Sequence, residues 1–301
     1  MEVLLFLAAA VRISVPYALA AMGSALSERG GVICIGLEGI MLAGALGYTV
    51  GAYWSGNPWA GVGAALLVGA AMAWLHAEAT VRFRADQITS GLGLNLLAAG
   101  LTRLVLVQVF HSSSNSARVV GLPQWHLPLV DGLPGVGALL GSPLVLATFA
   151  LVFLVQRLLF RTVFGLRLRA TGERPEAPAT LGLSVTRIRF SGVLLCGLLA
   201  GLAGAYLASE QHSFTDGMTG GRGYIALAAM IVGKWSPVGA AAACLMFGAA
   251  EALQIRLQGS AFPAELLQTL PYVVTMLVLA GFIGRAVAPR AVGVPYDPEE
   301  R

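Results

Sequence analysis

The run EGIMLAGALGYTVGAYWSGNPWAGVGAALLVGAAMAWLHAE, residues 38–78, decides the fold class. Between its terminal glutamates lie 39 residues without one Asp, Glu, Lys or Arg. It contributes to two apolar segments, 32–54 and 59–76, each long enough to cross a hydrocarbon layer of about 30 Å at roughly 1.5 Å per helical residue. Further uncharged runs cover 132–156, 190–209 and 266–284. Over all 301 residues the chain is 57% hydrophobic and 11% charged, with a mean hydropathy of +0.78. Soluble proteins carry roughly a quarter charged residues. Burying this much apolar surface would leave too few charges to cover an exterior, which excludes a water-soluble globular enzyme and leaves lipid as the solvent. The 38 glycines, with abundant alanine, suit helices packed closely through small side chains, a bundle rather than a single anchor.

The expected fold is all-α, a polytopic transmembrane bundle. Apolar segments fall at 3–24, 32–54, 59–76, 88–110, 143–159, 188–208, 224–233, 238–255 and 266–284. Eight are span-length. The ten residues at 224–233 are too few to cross alone, so this segment is expected to be broken or re-entrant and shielded from lipid. If the stretch between 159 and 188 is cytoplasmic, alternation puts the N-terminus outside and the C-terminus inside. Of 19 Lys and Arg, all but Arg12, Arg103, Arg118, Arg222 and Arg256 then lie inside, as the positive-inside rule requires. Pro58 followed by Gly69-Ala70-Ala71 and Pro237 followed by Gly248-Ala249-Ala250 share one spacing. The topology gives them opposite directions, the pattern of an inverted repeat, which in transporters puts the substrate path near mid-membrane; chance in an Ala/Gly-rich chain is the alternative.

A net charge of +4 and a pI near 9.2 do not point to nucleic acid, because the basic residues sit between apolar segments. Cys34, Cys196 and Cys244 lie within apolar segments without metal-like spacing and read as packing residues, and the four histidines are scattered. No basic residue precedes the first apolar stretch and Glu2 flanks it, so a cleaved signal peptide is not expected. No Gly-x-x-x-x-Gly-Lys-Ser/Thr phosphate loop is present. No cofactor or metal is expected on this chain.

The polar stretch at 169–189 is the one substantial hydrophilic connection expected inside. Pro175 can open a short surface helix with Glu173 and Glu176 near its N-terminus, and Gly182 can end it. A plain solvated loop is the alternative. The loop 111–142, polar and then rich in Pro and Gly, is expected outside.

Four ordered stretches then carry a resemblance: Glu28-Arg-Gly-Gly-Val-Ile-Cys-Ile-Gly-Leu-Glu38-Gly-Ile-Met-Leu; Arg84-Ala-Asp-Gln-Ile88 leading to Gly93-Leu-Asn95-Leu-Leu; Gly172-Glu-Arg-Pro175-Glu-Ala with Leu181-Gly182; and Gly220-Gly-Arg-Gly-Tyr224-Ile-Ala-Leu with Gly233-Lys-Trp. Over nearly the whole chain it resembles permease subunits of ABC importers, in the group handling nucleosides, simple sugars and branched-chain amino acids, and is most similar to the nucleoside permeases. The resemblance implies a transmembrane permease domain over 1–288, with a coupling-helix loop at about 161–187, and a cytoplasmic tail over 289–301. It makes the helix around 172–182 the element that docks on the ATP-binding subunit, with Arg169, Gly172, Glu173, Pro175, Glu176, Leu181 and Gly182 as the coupling residues. Pro178 departs from the family's usual alanine and suggests a shorter or kinked helix. The tail, with Pro289, Pro295 and Pro298 and a charged end, is expected to be disordered.

Ionisable and polar residues inside spans are costly and therefore informative. Glu38, Asn95, Phe214, Glu251 and Gln254 are the candidate pathway residues. Each has a plainer alternative. Glu38 could instead serve a neighbouring helix, with Arg12 as a partner, and Asn95 could make a helix–helix hydrogen bond. Glu251 and Gln254, on one face, could simply pack; Phe214 could stack on a base or belong to an external loop. The expected function is inward translocation of nucleosides by a multi-pass inner-membrane permease, itself not an enzyme. A simple-sugar or branched-chain amino acid permease, or an ion-coupled secondary transporter, is the alternative. The implied partners are an ATP-binding cassette subunit that holds ATP and Mg, a second permease expected to be a different chain, an extracytoplasmic substrate-binding protein and the lipid bilayer, with no nucleic acid.

Overall fold

The computed structural model describes residues 2–125, 136–258, 269, 273–274, 276–277 and 287–297. The helices are α1 (Glu2–Arg29), α2 (Leu37–Ser55), α3 (Pro58–Ala77, continued by a π-helical turn at Glu78–Arg82), α4 (Gln87–Phe110), α5 (Val136–Leu140), α6 (Pro143–Arg161), α7 (Val163–Glu173), α8 (Glu176–Thr180), α9 (Val185–Gln211), α10 (Arg222–Val232) and α11 (Pro237–Leu257). Among the described residues extended pairing is limited to one bridge, Asn115 with Thr215. The expected apolar segment 266–284 lies mostly outside the described residues.

Helix starts follow the local chemistry. Pro58, Pro143 and Pro237 each open a helix, where the missing N–H costs nothing. The preceding Asn57 and Ser236 accept from the backbone N–H of Trp59 and Gly239 at 2.9 and 3.4 Å. Asp86 caps α4 by accepting from the Thr89 N–H and hydroxyl, each at 2.7 Å, and these two bonds hold its carboxyl below the ordinary aspartate range.

Six described helices, α1, α3 with its π-turn, α4, α6, α9 and α11, are long and apolar enough to cross a membrane. The chain is a multi-pass membrane protein. α2 is of similar length but rich in glycine, and most of it lies buried among the others, with Tyr53 and Trp54 exposed in its last turn. It starts at Leu37 rather than 32, because the chain leaves the helical path at Gly31, whose φ of +94° is open to glycine at no steric cost.

The packing is reciprocal. α1 and α9 run antiparallel, with Gly23 against Cys196 and Gly192 against Leu26. Gly69 of α3 lies on Gly197 and Gly201 of α9, while Gly248 of α11 lies on Ala10 and Ser14 of α1. A Cβ at Gly69 or Gly204 would overlap backbone of the facing helix. Likewise α2 packs on α9, and α10 on α1. The units α1–α3 and α9–α11 therefore each lay their second and third helices on the other's first, as an inverted repeat requires. α4 is peripheral and exposes Leu92, Leu96, Leu101 and Leu104 to the surroundings.

The tail departs from the expectation of disorder. Residues 287–297 form a strap across the end of the bundle that carries α7 and α8. Ala291 N–H donates to the Gly172 carbonyl at 2.8 Å and Gly293 N–H to the Gly31 carbonyl at 3.2 Å. Buried Arg189 donates to the Val294 carbonyl at 2.9 Å, and Arg84 pairs with Asp297. Proline and charge argue against a packed core, but carbonyls at and just beyond the ends of α1 and α7 offer this segment hydrogen bonds that need no core.

Candidate functional site

Two interrupted elements meet in the middle of the bundle. α2 begins after the break at 30–36, and α10 begins after the loop 212–221. Both carboxylate oxygens of Glu38, in the first turn of α2, accept from the start of α10: Gly221 N–H at 2.7 Å and Gly223 N–H at 2.6 Å. Unpaired N–H groups and the positive end of the helix dipole make this a favourable place for a carboxylate. Glu38 thus serves a neighbouring helix, but its partner is α10 backbone and not Arg12, which pairs with Glu210. Gly223 lies so close to Glu38 that a Cβ would overlap its backbone.

Asn95 of α4 sews the break to both neighbours. Its Oδ1 accepts from Gly39 N–H at 2.8 Å, and its Nδ2 donates to the Ile35 carbonyl at 3.2 Å and to the Tyr224 hydroxyl at 3.0 Å. Ile33, within the break, is satisfied from α3 and α4. Gln87 accepts from Ile33 N–H at 2.7 Å, and His76 bridges the Ile33 carbonyl at 2.9 Å and the Ser90 hydroxyl at 3.0 Å. Non-helical backbone inside a membrane bundle persists only with such partners.

Glu251 of α11 lies on the other flank of α10. Arg222, the first residue of α10, donates to it at 2.8 Å, and the Tyr17 hydroxyl of α1 donates to it as well. Gln254 lies half-buried one turn along. A groove of about 410 Å³ between α1, α9 and α10 is lined by the Arg12–Glu210 pair, Tyr206, Arg222 and apolar side chains. Phe214 is not in either group: its ring is 0% exposed. Residues 212–216 are zipped to 114–119 by Ser116–Phe214, Val119–His212 and Asp216–Ser114 backbone bonds, which turn the ring inward. In this conformation it presents no face for stacking.

At the α7–α8 end, Glu173 and Glu176 are exposed and Leu181 is 78% exposed. Gly182 takes φ +74° and ends α8, while Pro175 occupies the cap position. α8 is five residues long, with Pro178 in its first turn, where no intrahelical donor is lost. Gly172 is buried against the end of α1, where a Cβ would overlap the Arg29 carbonyl. Arg169 turns away from the exposed face, its guanidinium 5.0 Å from the centre of the Phe160 ring.

Arg222, Tyr224 and Gln87 stand in the quoted motifs, and His76 among the scattered histidines, without an assigned role; Tyr17 stands in none of them. The aromatic directly after Gly221-Arg222-Gly223 was the available signal for Tyr224. Nothing in the sequence links Tyr17 to Glu251, which is 234 positions away.

Residues 6–279 match the family model described as branched-chain amino acid transport system / permease component. The chain is 40% identical over 297 residues to a nucleoside ABC transporter permease protein of Lactococcus lactis, covering 94% of this chain and 93% of that one. It is 38% identical to a guanosine ABC transporter permease protein of Bacillus subtilis, covering 95% and 94%. It is 33% identical to a putative glucose ABC transporter permease protein of Haloferax volcanii, covering 90% and 89%. No solved structure matches the chain.

Proposed function

The chain belongs to the family of branched-chain amino acid transport system permease components, and from that membership we propose that it is the membrane-spanning permease subunit of an ATP-driven importer that moves nucleosides inward by alternating access. The observation that carries the reading is likeness along almost the full length to a nucleoside permease at 40% identity. ABC permease subunits are not enzymes themselves. ATP, with its Mg, belongs to a separate ATP-binding subunit, and an outside binding protein delivers the substrate.

In this reading the N-terminus is outside and the strap cytoplasmic. α8 docks on the ATP-binding subunit, with Glu173, Glu176 and Leu181 as the contact and Gly172, Pro175, Gly182 and Arg169 shaping the helix and its corner. Gly172 seats α7 on the end of α1, beside the break that leads to Glu38, so closure of the ATPase pair can rock the helices that hold the mid-bundle polar layer. Glu38 and Asn95 are half-buried and Tyr224 is exposed on the surface of the single subunit. Polar groups at that depth face a water-filled path or protein, not lipid, and a second permease, expected to be a different chain, completes the path. Glu251, Gln254 and Arg222 form its other flank.

The test is uptake into vesicles holding the complex assembled with its ATP-binding subunit, partner permease and binding protein. ATP-dependent uridine or guanosine uptake, competed by nucleosides and not by pentoses or leucine, is expected. Uptake that survives without ATP but collapses with the ion gradient overturns the reading. A simple-sugar substrate is the second reading, favoured by the glucose permease relative; dominant competition by sugars would select it.

A further inference from the structure

The hydrogen-bonding capacity of the mid-bundle cluster is unevenly spent. Asn95 uses both amide hydrogens and accepts at its oxygen, all on protein. Each oxygen of Glu38 is taken by a backbone N–H of α10. Tyr224 differs. Its hydroxyl accepts from Asn95, so its own proton remains to donate elsewhere, and the side chain is 46% exposed.

The depth of Tyr224 argues against a membrane-surface role. Tyrosines that anchor helices sit at the membrane–water interface. Tyr224 stands eight residues before Val232, the last residue of α10, about 12 Å at helical rise. Its partner Asn95 stands eight residues into α4, about 12 Å from the start of that helix. Both lie toward the middle of a hydrocarbon layer about 30 Å thick. There an exposed ring with a free O–H suits a ligand that offers a flat π-face and a hydrogen-bond acceptor together. Tyr17 and Tyr48 are buried, as is Phe214.

We propose that Tyr224 receives the base of the transported nucleoside, its ring as the stacking face and its hydroxyl as a donor, while Glu38 and Asn95 act as positioning residues that hold α10 and the hydroxyl in place. This rests on the nucleoside reading above. The distinguishing experiment compares uptake of uridine with 5,6-dihydrouridine, which has the same sugar but a puckered, non-aromatic base. The wild-type complex prefers uridine. Tyr224→Leu removes both the stacking face and the donor, so the apparent KM rises for both nucleosides but about tenfold more for uridine, erasing the preference. Tyr224→Phe keeps the preference and loses only the donor. Co-purification with the ATP-binding subunit checks that each variant assembles. A second measurement needs no variant: photolysis of 4-thiouridine on the wild-type complex labels Tyr224. Uridine uptake with an unchanged preference in Tyr224→Leu, or labelling confined to other residues, overturns this assignment alone. Uptake of neither uridine nor guanosine by the wild-type complex overturns the nucleoside reading and this assignment with it.

Discussion

Glu38 shows how one side chain can organise a junction that spans the bundle. Its carboxylate supplies acceptors to two N–H groups that α10 cannot satisfy internally, in a region where water is scarce. Glu38→Gln keeps the shape but leaves a single acceptor: one bond survives without its charge assistance, and the other N–H faces an amide NH2 that cannot accept. We expect a loss of about 1–2 kcal/mol in stability, read as a lower Tm of the purified complex, and a larger loss for Glu38→Ala, which leaves both donors unpaired. An unchanged Tm in Glu38→Ala would show that α10 is held by other means. The sequence marks Glu38 and Asn95 because polar groups inside spans are costly. It does not disclose their partners, since Asn95 reaches Gly39, Ile35 and Tyr224 across separations of 56, 60 and 129 positions.

Among the elements, α8 was the most legible; α7 was not foreseen as a helix, and Glu173, expected near the start of the short helix, is the last residue of α7 instead. Pro175 and Gly182 bracket the helix in sequence, and the structure bounds it between the same two residues. Both helices sit on the ends of spans, and α8 leaves Glu176 and the following Leu181 uncovered. Replacing Glu173 and Leu181 together, by Lys and Ser, is expected to leave insertion and Tm intact while substrate-stimulated ATP turnover and uptake fall together, by at least about tenfold if two interface anchors are lost. Intact uptake in that double variant removes α8 from the coupling role. Pro178 lies in the first turn of α8, where a proline has no intrahelical bond to lose, and the helix ends just before Gly182 at its positive φ.

For the whole molecule, the strap is the feature that ties distant parts together. Within three positions it bonds the Gly172 carbonyl beside α8 and the Gly31 carbonyl at the break before α2, and Arg189 and Arg84 hold it from two other helix ends. Removing residues 287–301 is expected to leave the complex inserted and the ATPase active while uptake per ATP hydrolysed falls several-fold, measured by parallel phosphate release and substrate counting in vesicles. Unchanged stoichiometry would reduce the strap to a cover. The sequence by itself determined the solvent, the helical class, most of the segment positions and the family likeness, because hydrophobic run length and short motifs are local properties of the chain. Only the tertiary structure decided which carboxylate meets which helix end, that Phe214 is buried and Tyr224 open, and that the tail is bound. Those outcomes depend on backbone groups left over at helix ends, and only folding brings such groups within hydrogen-bonding distance of their partners.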